Sequence, residues 1–234
     1  MSMQSRADNS KLDNEIEETP GFHSLAHRLL MVCGIVGPIL FIGIFSIEGI
    51  LHPGYDPLRE PISSLELVSN GWTQSANFIL FGLFIIFYAF GLKKELVRGI
   101  EANLIPLLQG VVALGLITSG VFVHDPLHTI GDILNSGSVV INFVLVRRFA
   151  RDPRWRGWST YSIVTAILTV LSIVAFRVAA AHNGPDGLFE RSATFVEAIF
   201  TILLTARLLA RPGSLAPRRT QTGKSATAGK FEKV

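Results

Sequence analysis

Leu29–Leu51 reads LLMVCGIVGPILFIGIFSIEGIL, a run whose only formal charge is Glu48. A helix rises about 1.5 Å per residue and a bilayer core is about 30 Å thick, so roughly 20 apolar residues cross it. Five further blocks qualify: Thr73–Leu92, Asn103–Val123, Leu127–Val146, Trp158–Ala181 and Leu188–Leu209. Of the 234 residues 49% are hydrophobic and only 17% charged, whereas soluble domains carry about a quarter charged residues. The expected fold is an all-α polytopic membrane protein, with six transmembrane helices in one bundle over 28–210. A polar tail, 1–27, precedes it, and a basic Ser-, Thr- and Ala-rich tail, 211–234, has the composition of a disordered segment.

Charge placement gives the orientation. Arg6, Lys11 and Arg28 precede the first span, and Lys93, Lys94 and Arg98 follow the second. The arginines from Arg147 to Arg156 follow the fourth, and a basic group from Arg211 to Lys233 follows the sixth. Together these are 17 of the 21 basic residues. Cytoplasmic connections collect Lys and Arg, so both termini are expected in the cytoplasm of a multi-pass cell-membrane protein, a prokaryotic inner membrane being the natural setting. The acidic start lacks the basic region of a cleavable signal peptide, so the first span is expected to serve as signal and anchor. Basic residues that flank spans also remove the case for nucleic acid. The single Cys33 excludes an intrachain disulfide and a cysteine-based zinc cluster.

The first outward connection, His52–Glu66, reads HPGYDPLREPISSLE. Pro61 and the spacing Ser63-x-x-Glu66 predict a short helix with a capping box, lying on or dipping into the outer leaflet. The next outward connection contains FVHDPLHTIGDILNSG. There Asp125 before Pro126 predicts an N-cap and the start of span four. On that helix His128 and Asp132 stand one turn apart, a spacing that orients an imidazole or offers two ligands to a divalent metal such as Zn. Helix capping in wet headgroups is the plainer reading of the same residues.

Asp132 and Arg177 each lie a turn or so inside the outer ends of their spans, and Glu197 lies deeper. A charge in hydrocarbon costs at least about 2.5 kcal/mol, so each should face the bundle interior and find a partner. Arg177 is expected to pair with Asp132 or Glu197. Glu190, Thr194, Glu197 and Thr201 fall on one helical face, a polar stripe aimed at protein or water.

Three stretches together resemble a known family. YDPLREPISSLELVSNGWTQSANFILFGLF, GVFVHDPLHTIGDILNSGS and GLFERSATFVEAIFTILLTARLLA occur in the order seen in the domain of unknown function 998 family of bacterial and archaeal membrane proteins. The matching positions are Tyr55, Pro57, Ile62, Ser63 and Leu65; Phe122, Asp125, Pro126 and His128; and Gly187, Leu188 and Arg191. The resemblance spans about residues 30–210 and implies six spans but no established activity. His124 stands where the family pattern varies, which argues against an essential role for it.

The leading expectation is an outward-facing polar pocket that binds a lipid headgroup, small solute or partner. Its candidate residues are Tyr55, Arg59, Ser63, Asp125, His128, Asp132, Arg177, Arg191 and Glu197. The arginines would receive an anionic group, and no cofactor is required. One alternative is a membrane-embedded hydrolase or transferase in which His128 and Asp132, with His52 or His182, hold a metal that activates water against lipid. A second is a proton-coupled carrier through Asp132, Arg177 and Glu197, although no pair of broken helices or inverted repeat is evident.

Overall fold

The computed structural model describes residues 25–96, 99–123 and 125–211, and no β-strand occurs among them. Their helices are α1 (Leu25–Leu51), α2 (Trp72–Glu95), α3 (Glu101–Val121), α4 (Pro126–Asn135), α5 (Ser138–Ala150), α6 (Trp158–Ala181) and α7 (Asp186–Ala210). Six spans long and apolar enough to cross a membrane result, with α4 and α5 together forming the fourth. This is a multi-pass integral membrane protein. The described part of α1 begins at Leu25, within the expected tail 1–27. The remainder of both expected tails, and His124, lie outside the described residues.

Consecutive spans pack side by side, and α7 returns to pack on α1. The helices therefore form a closed ring with two ends. The basic end carries Lys93, Lys94 and the arginines Arg147–Arg156; the loop end carries residues 52–71. A ring of six helices cannot fill its own middle with backbone, so large side chains must. Phe41, Phe45, Phe78 and Phe200, none more than 6% exposed, do part of this work. Many leucines, isoleucines and phenylalanines remain exposed around the outside, as lipid-facing positions should.

The fourth span departs from expectation. Instead of one helix from Leu127 to Val146, the chain turns at Ser136-Gly137 between α4 and α5. Asn135, Ser136, Gly137 and Ser138 are poor helix formers in succession. The Ser136 hydroxyl donates back to the Asp132 carbonyl at 3.0 Å, a bond that competes with the helical ladder and bends it. Asp125 caps α4 as the sequence predicts, accepting from the Leu127 amide at 2.9 Å.

The short helix between the first two spans is a 3-10 turn, Ile62–Leu67, without the expected capping box: no side chain caps its start. Nor does it lie on a leaflet. Ile62 and Leu65 are at most 1% exposed, and the turn packs on α1, α2 and α7. It plugs the loop end of the ring. Burial of two large aliphatic side chains explains why packing prevails over the local capping signal.

The basic end is closed differently. Trp155 stacks on Phe149 with ring centroids 4.7 Å apart, and the Arg207 guanidinium lies 4.5 Å over the Trp155 ring. Buried Glu101 pairs with Arg151 at 3.2 Å and Arg147 at 3.7 Å. His27 and Glu95, both buried, approach to 3.5 Å.

Candidate functional site

Arg191 organises the loop end. Its guanidinium donates to the Glu60 carbonyl at 2.9 Å, to the Gly187 carbonyl at 3.1 Å, and to the Tyr55 hydroxyl. Tyr55 in turn donates to the Pro61 carbonyl at 2.9 Å. Its phenol pKa is raised, burial outweighing the hydrogen bond from Arg191. Beside it the Glu190 carboxylate accepts from the Ile62 amide at 2.5 Å, and the Leu188 amide donates to the Leu58 carbonyl at 2.9 Å. Gly187 permits this approach, since a Cβ there would meet the Glu60 carbonyl and lie 2.8 Å from the Pro57 oxygen. Tyr55, Ile62, Gly187, Leu188 and Arg191 thus form a latch that pins the connecting loop to the start of α7.

His52 secures the other side of the loop. Its Nδ1 lies 2.8 Å from the Glu48 carbonyl and its Nε2 2.7 Å from the Ser69 carbonyl. Only an imidazolium donates to both, and these two carbonyls raise its pKa.

Under the plug, α3 and α4 touch almost backbone to backbone. A Cβ on Gly131 would lie 2.7 Å from the Gly115 carbonyl and 2.9 Å from the Ser119 amide. This contact brings Glu66, Ser119, His128 and Asp132 together. His128 Nδ1 donates to the Ser119 carbonyl at 3.1 Å and stands 3.7 Å from Glu66 Oε2, while Nε2 stands 3.8 Å from Asp132 Oδ1. The hydroxyls of Ser75 and Ser119 donate to Glu66 and Asp132 at 2.9 and 3.3 Å. Burial pushes the Glu66 carboxyl up to about 7, against the opposing effects of Ser75 and His128. The imidazole sits between two acids. Among the described residues no three His, Cys, Asp or Glu side chains are placed to hold a metal ion together. His128 keeps Nδ1 on the Ser119 carbonyl and turns Nε2 toward Asp132.

Below this cluster a cavity of about 210 Å³ runs down the middle of the ring. Its two walls differ. The wall from α1, α2 and α3 is mainly apolar, built from residues such as Pro38, Phe41, Phe78, Ile85, Val112 and Leu116. The wall from α4 to α7 supplies Asp132, Asn142, Thr169, Arg177, Glu190 and Glu197. All four residues of the stripe Glu190, Thr194, Glu197 and Thr201 line it. At its middle Glu197 accepts from Asn142 Nδ2 at 2.9 and 3.0 Å and from the Thr169 hydroxyl at 2.9 Å.

The cavity also reaches the side of the bundle. α4 packs on α3, and α6 packs on α5 and α7, while α4 and α6 make no substantial contact. Yet Asp132, Asn135 and Ser136 on one side and Phe176 and Arg177 on the other line the same space. The fourth and fifth spans are correspondingly the least buried, at 22% against 39% for the second and third. A gap between α4 and α6 is the result.

The sequence-predicted residues therefore divide. Ser63, Asp132, Arg177 and Glu197 line the cavity, and His128 stands against Asp132 at its roof. Tyr55 and Arg191 belong to the latch, and Asp125 caps α4. Arg59 is 71% exposed, 3.9 Å from Asp56, and does not reach the cavity. Arg177 lies over the Phe176 ring at 5.4 Å and acts electrostatically on Asp132. It forms no ion pair with Glu197, whose carboxylate is taken by Asn142 and Thr169. His182 hydrogen-bonds the Val178 carbonyl at its own helix end. Glu66, Ser119, Asn142 and Thr169 were not singled out as site residues. The signal for Asn142 is an amide alone in the apolar run VVINFVLV; Thr169 and Ser119 carry none beyond being small and polar.

The family model described as protein of unknown function (DUF998) matches residues 35–207. The chain belongs to the DUF998 family. No curated protein and no solved structure matches it. In this DUF998 chain the matched region contains the latch, the Glu66–His128–Asp132 cluster and all of the cavity lining except Cys33 and Gly34.

Proposed function

We propose that this protein is a binding protein of the cell membrane, a prokaryotic inner membrane by its charge distribution, whose central pocket takes up an amphiphilic molecule. The ligand is a lipid headgroup with part of its chain, or a small amphiphilic solute. The observation that carries this reading is the cavity with one apolar and one polar wall, beside a gap between α4 and α6. An apolar engineered cavity of about 150 Å³ already binds benzene, so about 210 Å³ accommodates a short chain with a polar end. A gap at the side of the bundle admits such a molecule from the bilayer without its leaving lipid. By the Lys/Arg distribution the polar roof faces away from the cytoplasm.

Native mass spectrometry on protein released from lipid nanodiscs tests this. The expected result is a retained adduct at one per chain, lost in Ala193→Phe, which fills the cavity from α7. Folded wild-type protein that retains no adduct and gains no thermal stability from added short-chain amphiphiles would overturn the proposal.

A further inference from the structure

We infer that the middle of the cavity is a site for an ammonium group carrying N–H donors, held by Glu197, Asn142 and Thr169. This rests on the amphiphile-binding reading and names the chemistry of the polar end of the ligand. Glu197 lies eleven residues into α7 from Asp186, about 16 Å along the helix and so near the midplane of a core about 30 Å thick. A carboxylate at that depth demands a partner. Its hydrogen-bond donors are neutral: the Asn142 amide and the Thr169 hydroxyl. Among the described residues no basic side chain forms an ion pair with it. Arg177, the one cation of the polar wall, stands eight residues beyond Thr169 on α6, about 12 Å away along the axis, at the rim of the gap.

A second observation is independent of the acid. Asn142 is 1% exposed and lines the cavity, and its Oδ1 receives no hydrogen bond. Its Nδ2 is committed to Glu197 and to the Ser138 carbonyl at 3.4 Å. A buried acceptor left without a donor costs roughly 1–3 kcal/mol. The two needs are complementary. A primary ammonium neutralises the carboxylate and gives Asn142 Oδ1 the donor it lacks. A sulfate or carboxylate would face Glu197 and Glu190 with like charge, and a hydroxyl would satisfy the amide but leave the charge. A quaternary ammonium would neutralise the charge but bring no N–H.

The test compares octylammonium, octanol and octyl sulfate at matched membrane concentrations, read as thermal stabilisation of the protein in phosphatidylcholine nanodiscs. Octylammonium should stabilise the wild type at concentrations at least tenfold lower than octanol, and octyl sulfate should not stabilise it. Glu197→Gln should remove the advantage of octylammonium while octanol keeps its effect. Thr169→Val, a near-isosteric change, should weaken octylammonium alone, and it serves if Glu197→Gln does not fold. Phosphatidylethanolamine nanodiscs identify the source: stabilisation there with loss of the octylammonium response assigns the site to a lipid headgroup, and an unchanged response assigns it to a free amine. Octylammonium no better than octanol in the wild type, or an advantage that survives both substitutions, would overturn the ammonium site and leave the pocket. Failure of all three compounds would remove the pocket reading itself.

Discussion

Glu66→Gln should change how stability depends on pH. The Glu66 side chain is 1% exposed, and its carboxyl is raised from an ordinary 4.5 to about 7, mainly by burial. The folded protein therefore holds a proton on Glu66 more tightly than the unfolded chain does. Stability from this group is fully present below about pH 4.5 and is lost as pH rises through about 7, because the fold must then bury a carboxylate. At about 1.4 kcal/mol per pH unit the loss is at most about 3 kcal/mol. The groups that face Glu66 are the Ser75 hydroxyl, His128 and, beyond it, Asp132. Glutamine keeps an oxygen for Ser75 and removes the titration. Denaturation of both proteins in mild detergent, from pH 5 to pH 8, supplies the comparison. The wild type should lose stability relative to Glu66→Gln across the interval, by up to about 3 kcal/mol. Parallel curves would show that the cluster does not bury a titrating acid, and the reasoning would fail.

The latch gives a sharper mutational contrast. Tyr55→Phe removes one hydroxyl and should cost about 1–3 kcal/mol, while Arg191→Ala removes several charge-assisted bonds and should cost more; denaturant titration of both variants checks the order. Gly131→Ala drives a Cβ to 2.7 Å from the Gly115 carbonyl, and the separation of α3 from α4 should cost about 1–3 kcal/mol by the same measurement. Sidedness is checked in a Cys33→Ser background, where Ser69→Cys should react with an impermeant maleimide from outside intact cells and Arg156→Cys should not. Reaction of Arg156→Cys alone would reverse the orientation.

The six spans were legible because a bilayer-length apolar run has few other uses, and the run Leu29–Leu51 falls within a 27-residue helix. The inward stripe on α7 was legible for a related reason, since polar groups at helical spacing inside hydrocarbon have one place to face. Partner choice was not. Arg177 is the natural counter-ion for Glu197 by sequence, but the donors that reach the carboxylate are Asn142 on α5 and Thr169 on α6, which no sequence spacing connects to it. Arg191 and Arg59 looked alike as exposed cations near the loop. Only the fold shows that one is spent on backbone carbonyls while the other projects away. Ser63 and Glu66 matched a capping pattern, and tertiary burial of Ile62 and Leu65 redirected both.

The closure of the ring by its last helix imposes an order on how the molecule is made. Tyr55 and Arg191 are separated by 136 residues, and a ribosome adding about 5–20 residues per second needs roughly 7–27 s to cover that distance. Throughout that interval the plug is held only by α1, α2 and the contacts of His52 and Ser75, and Ile62 and Leu65 have no α7 against which to bury. Insertion of the sixth span is thus the event that seals the molecule. A ribosome stalled before Gly187 would leave an open crescent of five spans, with the future interior facing lipid or whatever membrane chaperone attends the nascent chain.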